Sequence, residues 1–62
     1  MSELTDLLGR LKGAQRELIA TAARAGMMPS DGTVRKIADL ESAILAVEAV
    51  IEEEGAEEPK GT

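Results

Sequence analysis

The sequence predicts an all-α fold, an antiparallel two-helix hairpin that dimerises into a four-helix bundle. Apolar residues recur at helical spacing in both halves of the chain, and only a short turn-forming segment separates the halves. The second half also has more apolar surface than one neighbouring helix can cover. The hairpin is expected over residues 1–54, and residues 55–62 are expected to form a disordered acidic tail.

The first half of the chain carries the signals of one long helix. Ser2 is a suitable N-cap, and Glu3 and Asp6 put negative charge in the first turn, where the helix dipole favours it. Gly26 suits the left-handed residue that follows a helix. Helix 1 is therefore expected over about residues 3–25. Its apolar residues lie along an arc roughly 160° wide; they are Leu4, Leu7, Leu8, Leu11, Ala14, Leu18, Ile19, Ala22 and Ala25.

A connection over residues 26–31 is expected to follow. Pro29 cannot continue the first helix, and Ser30 or Asp31 can cap the next one. A loop this short makes the two helices antiparallel neighbours. Helix 2 is expected over about residues 32–53. Its apolar stripe is a heptad pattern with Ile at every a position, formed by Ile37, Leu40, Ile44, Val47 and Ile51.

The two stripes match each other if the chain reverses near residues 28 and 29. Each apolar position of helix 1 then finds an apolar partner on helix 2. The expected pairs are Leu18 with Leu40, Ala14 with Ile44, Leu11 with Val47, and Leu7 with Ile51. The helices nevertheless cover each other along one stripe only.

Helix 2 has apolar surface beyond that stripe. Ala43 and Val50 widen it, and Ala38, Leu45 and Ala49 form a separate strip. A chain of 62 residues usually needs a stabiliser besides its core. This chain has no Cys for disulfides, no His or Cys for the usual zinc sites and no aromatic residues for a large core. Oligomerisation is the stabiliser that is left.

A two-fold dimer of hairpins is the simplest way to cover this surface. The alternatives are a partner of a different sequence and a monomeric hairpin. The relative direction of the two hairpins, parallel or antiparallel, stays open. The residues expected in the core and the dimer interface are Leu7, Leu11, Leu18, Ile37, Leu40, Ile44, Val47, Val50 and Ile51.

Composition and charge favour some classes of function over others. The formal net charge of −5 disfavours binding to nucleic acid or to an anionic membrane, because both rest on Lys and Arg. No segment approaches the roughly 20 apolar residues of a membrane span, and the N-terminus does not resemble a signal peptide, so a cytoplasmic protein is expected. No catalytic, cofactor-binding or metal-binding set of residues is recognisable. Neither an enzyme nor a small-molecule substrate is therefore expected.

Several polar residues border the apolar stripes. Gln15 lies within the arc of helix 1, where it either sets the register of a bundle core or reaches water at the edge. Glu41, Glu48 and Glu52 line one border of the helix 2 stripe. Without His they do not match the Glu-x-x-His motif of di-iron bundles, and a solvated flank paired with cations of a neighbouring helix is expected. The candidate cations are Arg10, Lys12 and Arg16.

Helix 1 has a second face, opposite its Leu stripe, where small residues cluster. An interior Gly costs about 1 kcal/mol relative to Ala, so this face either admits the close approach of a partner or is a tolerated weakness. Residues 1–26 carry four basic and three acidic groups, whereas residues 31–54 carry two basic and seven acidic groups. Helix 1 is thus the surface that tolerates an anionic partner. The candidate partner face comprises Gly9, Arg10, Gly13, Arg16, Ala20 and Arg24.

Two functional hypotheses follow. In length and layout the expected dimer resembles the plasmid copy-number regulators of the Rop type, dimers of helical hairpins that bind paired RNA loops, although the aromatic residue of their RNA face has no counterpart here. That resemblance implies RNA binding through the basic residues of helix 1, which are Arg10, Lys12, Arg16 and Arg24. The preferred hypothesis is a small non-enzymatic protein–protein interaction module, an adaptor, regulator or accessory protein, that acts as a homodimer. It accounts for both the apolar helix 2 and the absence of recognisable chemistry.

Overall fold

The computed structural model describes residues 2–57 and shows two α-helices packed as a hairpin. Helix α1 spans Glu3–Ala25, and helix α2 spans Asp31–Glu57. Contacts join Lys12 to Glu48 and Gln15 to Glu41, so the helices run in opposite directions. The all-α hairpin is therefore confirmed for the part of the chain that is described. In both contacts, the residue on α2 lies within one helical turn of the position that the expected pairing gives it.

Both helices begin with the same capping arrangement. The backbone N–H of Thr5 donates to the side-chain oxygen of Ser2 at 3.1 Å, and the N–H of Thr33 donates to that of Ser30 at 3.2 Å. In each case the two hydroxyls are also hydrogen-bonded, at 2.9 Å and 3.1 Å. A capping hydroxyl satisfies a backbone donor that has no partner within the helix. Of the two candidates for the second N-cap, Ser30 is therefore the one used.

Gly26 ends α1. Its φ of 73° is left-handed, a conformation that favours Gly because a Cβ would be strained there, and its N–H donates to the carbonyl of Ala23 at 3.3 Å. The connection to α2 is residues 26–30, one residue shorter than expected, because Asp31 is already helical. This turn reverses the chain and sets the register of the hairpin.

The end of α2 was predicted wrongly. The helix was expected to stop near residue 53, with a tail from Gly55, but it continues to Glu57. Gly55 does not adopt the left-handed conformation that ends α1, and the preceding Glu52, Glu53 and Glu54 are good helix formers. Residues 58–62 of the predicted tail lie outside the described residues.

Burial in this hairpin is slight. Among residues 2–55, for which side-chain exposure is described, only Ile44 is buried, with 4% of its surface exposed. Most other residues of the two stripes are half-buried; they are Leu4, Leu7, Leu8, Leu11, Leu18, Ala22, Ile37, Leu40, Val47 and Ile51. Ala14, Ile19 and Ala25 were expected in the stripe of helix 1 but are exposed. One neighbouring helix covers a narrower arc than the 160° that the apolar residues of α1 occupy.

Candidate interaction surfaces

The contact between α1 and α2 leaves two flanks of the hairpin uncovered. One, the polar flank, is a shallow groove of about 330 Å³ whose lining residues are Lys12, Gln15, Arg16, Ile19, Glu41, Ile44 and Glu48. The other, the open flank, is formed on each helix by a row of residues spaced seven apart, on the side of the apolar stripe that faces away from the polar groove. On α1 these are Glu3, Arg10, Glu17 and Arg24, and on α2 they are Lys36, Ala43 and Val50.

Gln15 links the two helices across the polar flank. Its side-chain nitrogen donates to a carboxylate oxygen of Glu41 at 2.9 Å and to the backbone carbonyl of Ile37 at 3.4 Å. Gln15 is half-buried. It is therefore neither a fully buried core residue nor a side chain that only reaches water. It fixes the axial register of the hairpin, because its partners lie one turn apart on α2.

Lys12 and Glu48 form an ion pair on the same flank. The ammonium nitrogen lies 3.4 Å from a carboxylate oxygen, and both side chains are close to half exposed. An exposed pair of this kind contributes about 0–1 kcal/mol. Glu48 thus borders the stripe as a solvated, paired flank residue. No group of three or more carboxylates within the described part of the chain is placed to hold a metal ion.

Replacing Gln15 by Glu is expected to lower the free energy of unfolding by about 1–2 kcal/mol, because two donated hydrogen bonds are lost and a second carboxylate faces Glu41. Urea denaturation measures the loss. Gln15→Met is the matched control, since it removes the hydrogen bonds without adding charge. High salt should recover part of the loss in the Glu variant and none in the Met variant. Equal stability of the Glu variant and the parent chain would contradict the observed contact.

The open flank combines apolar and charged residues. Val50 is 41% exposed and Ala43 is half-buried, so the wider apolar stripe expected on helix 2 is only partly covered by α1. The charged residues nearest the middle of this flank are exposed; they are Arg10, Glu17 and Lys36. No ion pair involving them is found among the described residues. This flank therefore offers both apolar area and unpaired charge.

The outward face of α1 lies opposite α2. A Cβ added at Gly9 or Gly13 would meet nothing within 4 Å, so the hairpin itself gives neither glycine a packing role. Ala20 is half-buried, and Arg16 is exposed. Arg24 is also exposed and donates weakly to the Thr21 hydroxyl, at 3.5 Å. The small residues of the candidate partner face thus lie together, but Arg10 lies toward the open flank and Arg16 toward the polar groove.

Some exposed apolar residues were not singled out from the sequence. Met27 and Met28 in the turn are 70% and 85% exposed, and Val34 at the start of α2 is 46% exposed. Leu45, expected in a separate apolar strip, is 55% exposed. The position of the two methionines between the helices was the one sequence signal for their exposure, since connections run over the surface.

Comparison with protein-family models, with curated proteins and with solved structures finds no significant match for this chain. Within residues 2–57, neither helix combines the length and the apolar character that crossing a membrane requires.

Proposed function

We propose that this chain is a small, non-enzymatic protein–protein interaction module that acts as a homodimer. The observation that carries the proposal is the near absence of a core in the single hairpin. Only Ile44 is buried among the side chains described, while Ile19, Leu45 and Val50 each expose more than two-fifths of their surface. A chain this short buries too little area alone and needs another source of stability.

A second copy is the simplest source of that stability. Dimers with two-fold symmetry are the most common assemblies of soluble proteins, and two apolar hairpins form a four-helix bundle without any further component. A different protein could also cover the stripe, but it would have to match both the apolar residues and the charges of the open flank. A second copy carries both sets already.

RNA binding through α1 is the competing proposal. It would use Arg10, Lys12, Arg16 and Arg24, but Lys12 is paired with Glu48 in the hairpin. Of the remaining three cations, Arg16 lies toward the polar groove whereas Arg10 and Arg24 lie on the open flank, and the net charge of −5 opposes approach to phosphate. These observations favour a protein as the partner. RNA binding that falls steeply as salt rises would instead support the alternative.

The homodimer is tested by sedimentation equilibrium of the full chain at micromolar concentration. The expected result is a species of twice the mass of one chain, together with a thermal unfolding midpoint that rises with concentration, since folding and association are coupled. A folded monomer with a concentration-independent midpoint would overturn the proposal.

The interaction role is tested by photo-crosslinking in cells that express the chain. A photoreactive residue at Gly13 samples the outward face of α1, and one at Ser42, which is exposed on α2, serves as the matched control. The expected result is one discrete protein crosslinked from position 13 and not from position 42. Equal crosslinking from both positions would contradict the assignment of the partner face to α1.

A further inference from the structure

We propose that the second copy docks on the open flank with the two hairpins pointing in opposite directions, so that α1 packs on α1 and α2 packs on α2. This inference rests on the proposed homodimer and adds its geometry. The two-fold axis is then perpendicular to the helices, and the two turns lie at opposite ends of the bundle. The polar flank, with its Gln15 and Lys12 contacts, stays on the outside.

The charges of α1 favour opposed hairpins. Its open flank carries Glu3, Arg10, Glu17 and Arg24, each seven residues after the last and alternating in sign. A spacing of seven is close to two helical turns, so the four side chains lie along one side of the helix. Such a row is complementary to itself when reversed. Glu3 then meets the partner's Arg24, and Arg10 meets the partner's Glu17, each pair occurring twice.

The apolar residues of α1 agree with the same register. In the register whose apolar layers place Leu7 by the partner's Leu18, Arg10 lies about 3 Å along the axis from the partner's Glu17, within reach of its side chain. The next layer places Leu11 by the partner's Ala14. A large residue opposite a small one fills space without overlap. Ala14, which is exposed in the single hairpin, thus gains a covered position.

The two-fold axis must also suit α2, and the hairpin register decides whether it does. The contacts of Gln15 with Glu41 and of Lys12 with Glu48 place the midpoint between Leu11 and Ala14 level with residues 45 and 46. The midpoint between Ile44 and Val47 lies at that same level. One axis therefore suits both helices, and it brings Ala43 within about 3 Å, along the axis, of the partner's Val50, again a small residue by a larger one. The adjoining layers place Ile44 by the partner's Val47, and Leu40 by the partner's Ile51.

The opposite arrangement, with both turns at one end, gives poor charge pairing. There α1 packs on the partner's α2 in the register of the hairpin itself. Arg24 then lies within about 3 Å, along the axis, of the partner's Lys36, so like charges meet. Arg10 and Glu17 come equally close to Val50 and Ala43 of the partner subunit and have no opposite charge beside them on the open flank. Like-charge contacts and unpaired charges at an interface select against an arrangement.

The open flank is available for this contact in the single hairpin. Glu3, Arg10, Glu17 and Arg24 are all exposed, and no ion pair joins any of them within residues 2–57. The cross-helix polar contacts of the hairpin lie on the other flank. Val50 and Ala43 supply the apolar area beside the charges.

The direction of the hairpins is measured by spin labels at the turn. The chain has no Cys, so Met28→Cys, at a side chain that is 85% exposed, gives one label per subunit. Opposed hairpins separate the two labels by about 35 Å or more, the length of α1, whereas hairpins with turns together hold them within about 25 Å. Ser42→Cys, near the middle of α2, is the control. The mean distance between its two labels should be short in either arrangement. A short distance from position 28 in a dimeric chain would overturn the inference and leave the homodimer intact, whereas a monomer would overturn both.

The register is tested by charge reversal at low salt. Arg10→Glu alone and Glu17→Arg alone are each expected to raise the dimer dissociation constant about tenfold, because each faces like charge twice per dimer. The double variant, Arg10→Glu with Glu17→Arg, restores the pairs and should return to within about threefold of the parent chain. Arg16→Glu is the matched control, with the same change in net charge on the other flank and no expected effect. Failure of the double variant to recover, in a chain that still dimerises, would contradict the proposed register.

Discussion

Replacing Ile44 by Asp is expected to unfold the hairpin and to dissociate the dimer in a single transition. Ile44 is the one buried residue among the side chains described, with 4% of its surface exposed. Removing a buried Ile side chain costs about 2–5 kcal/mol, and an unpaired carboxylate in its place adds a desolvation penalty. The whole stability of a domain of this length is about 3–9 kcal/mol at 0.05–0.15 kcal/mol per residue.

Circular dichroism and sedimentation velocity on the same sample measure this result, and both helical signal and dimer mass should fall together. Ala46→Asp is the matched control, because Ala46 is exposed on α2, two residues further along the helix. This control should lower the free energy of unfolding by no more than the difference in helix propensity between Ala and Asp, about 0.7 kcal/mol. A folded Ile44→Asp dimer would mean that the apolar stripe of α2 is not the core.

The elements that follow from local chemistry could be predicted from the sequence. Helix α1 covers the same span as the first expected helix, because Ser2 and Gly26 determine its ends through their own hydrogen bonds. The end of α2 has no comparable cap, and Gly55 alone did not stop a helix that the preceding glutamates favour. Helix ends can therefore be predicted where a side chain or a left-handed residue provides the hydrogen bonds.

Burial and polar contacts could be predicted less well, because they depend on where the second helix lies. Periodicity placed Ile19 with the apolar residues of α1, yet it is 48% exposed, since α2 covers only the middle of that arc. The role of Gln15 could not be decided from α1 alone. Its partners, Ile37 and Glu41, lie on α2, and only the register brings them within hydrogen-bond distance. The charges spaced seven residues apart on α1 can be seen in the sequence. That they share the flank away from the polar contacts becomes clear only once those contacts are known.

Replacing Val50 by Asp is expected to dissociate the dimer far more than replacing Leu45 by Asp. In the single hairpin the two side chains are similar, at 41% and 55% exposed, and both lie on α2. They differ in direction, because Val50 lies on the open flank and Leu45 points to the other side of the helix. A large difference between them in dissociation therefore reports on the dimer contact, since the single hairpin covers the two side chains to a similar extent.

The size of this difference follows from burial in the dimer. Losing a buried Val contact costs about 1.5 kcal/mol per copy, and two copies per dimer raise the dissociation constant about 100-fold. Charge next to the apolar Ala43 of the partner subunit adds to the loss. For Leu45→Asp, which stays in water, a change of about 0.5 kcal/mol or less is expected. Equal dissociation by the two variants, measured by sedimentation equilibrium, would place the dimer contact elsewhere, and a larger effect of Leu45→Asp would move it to the polar flank.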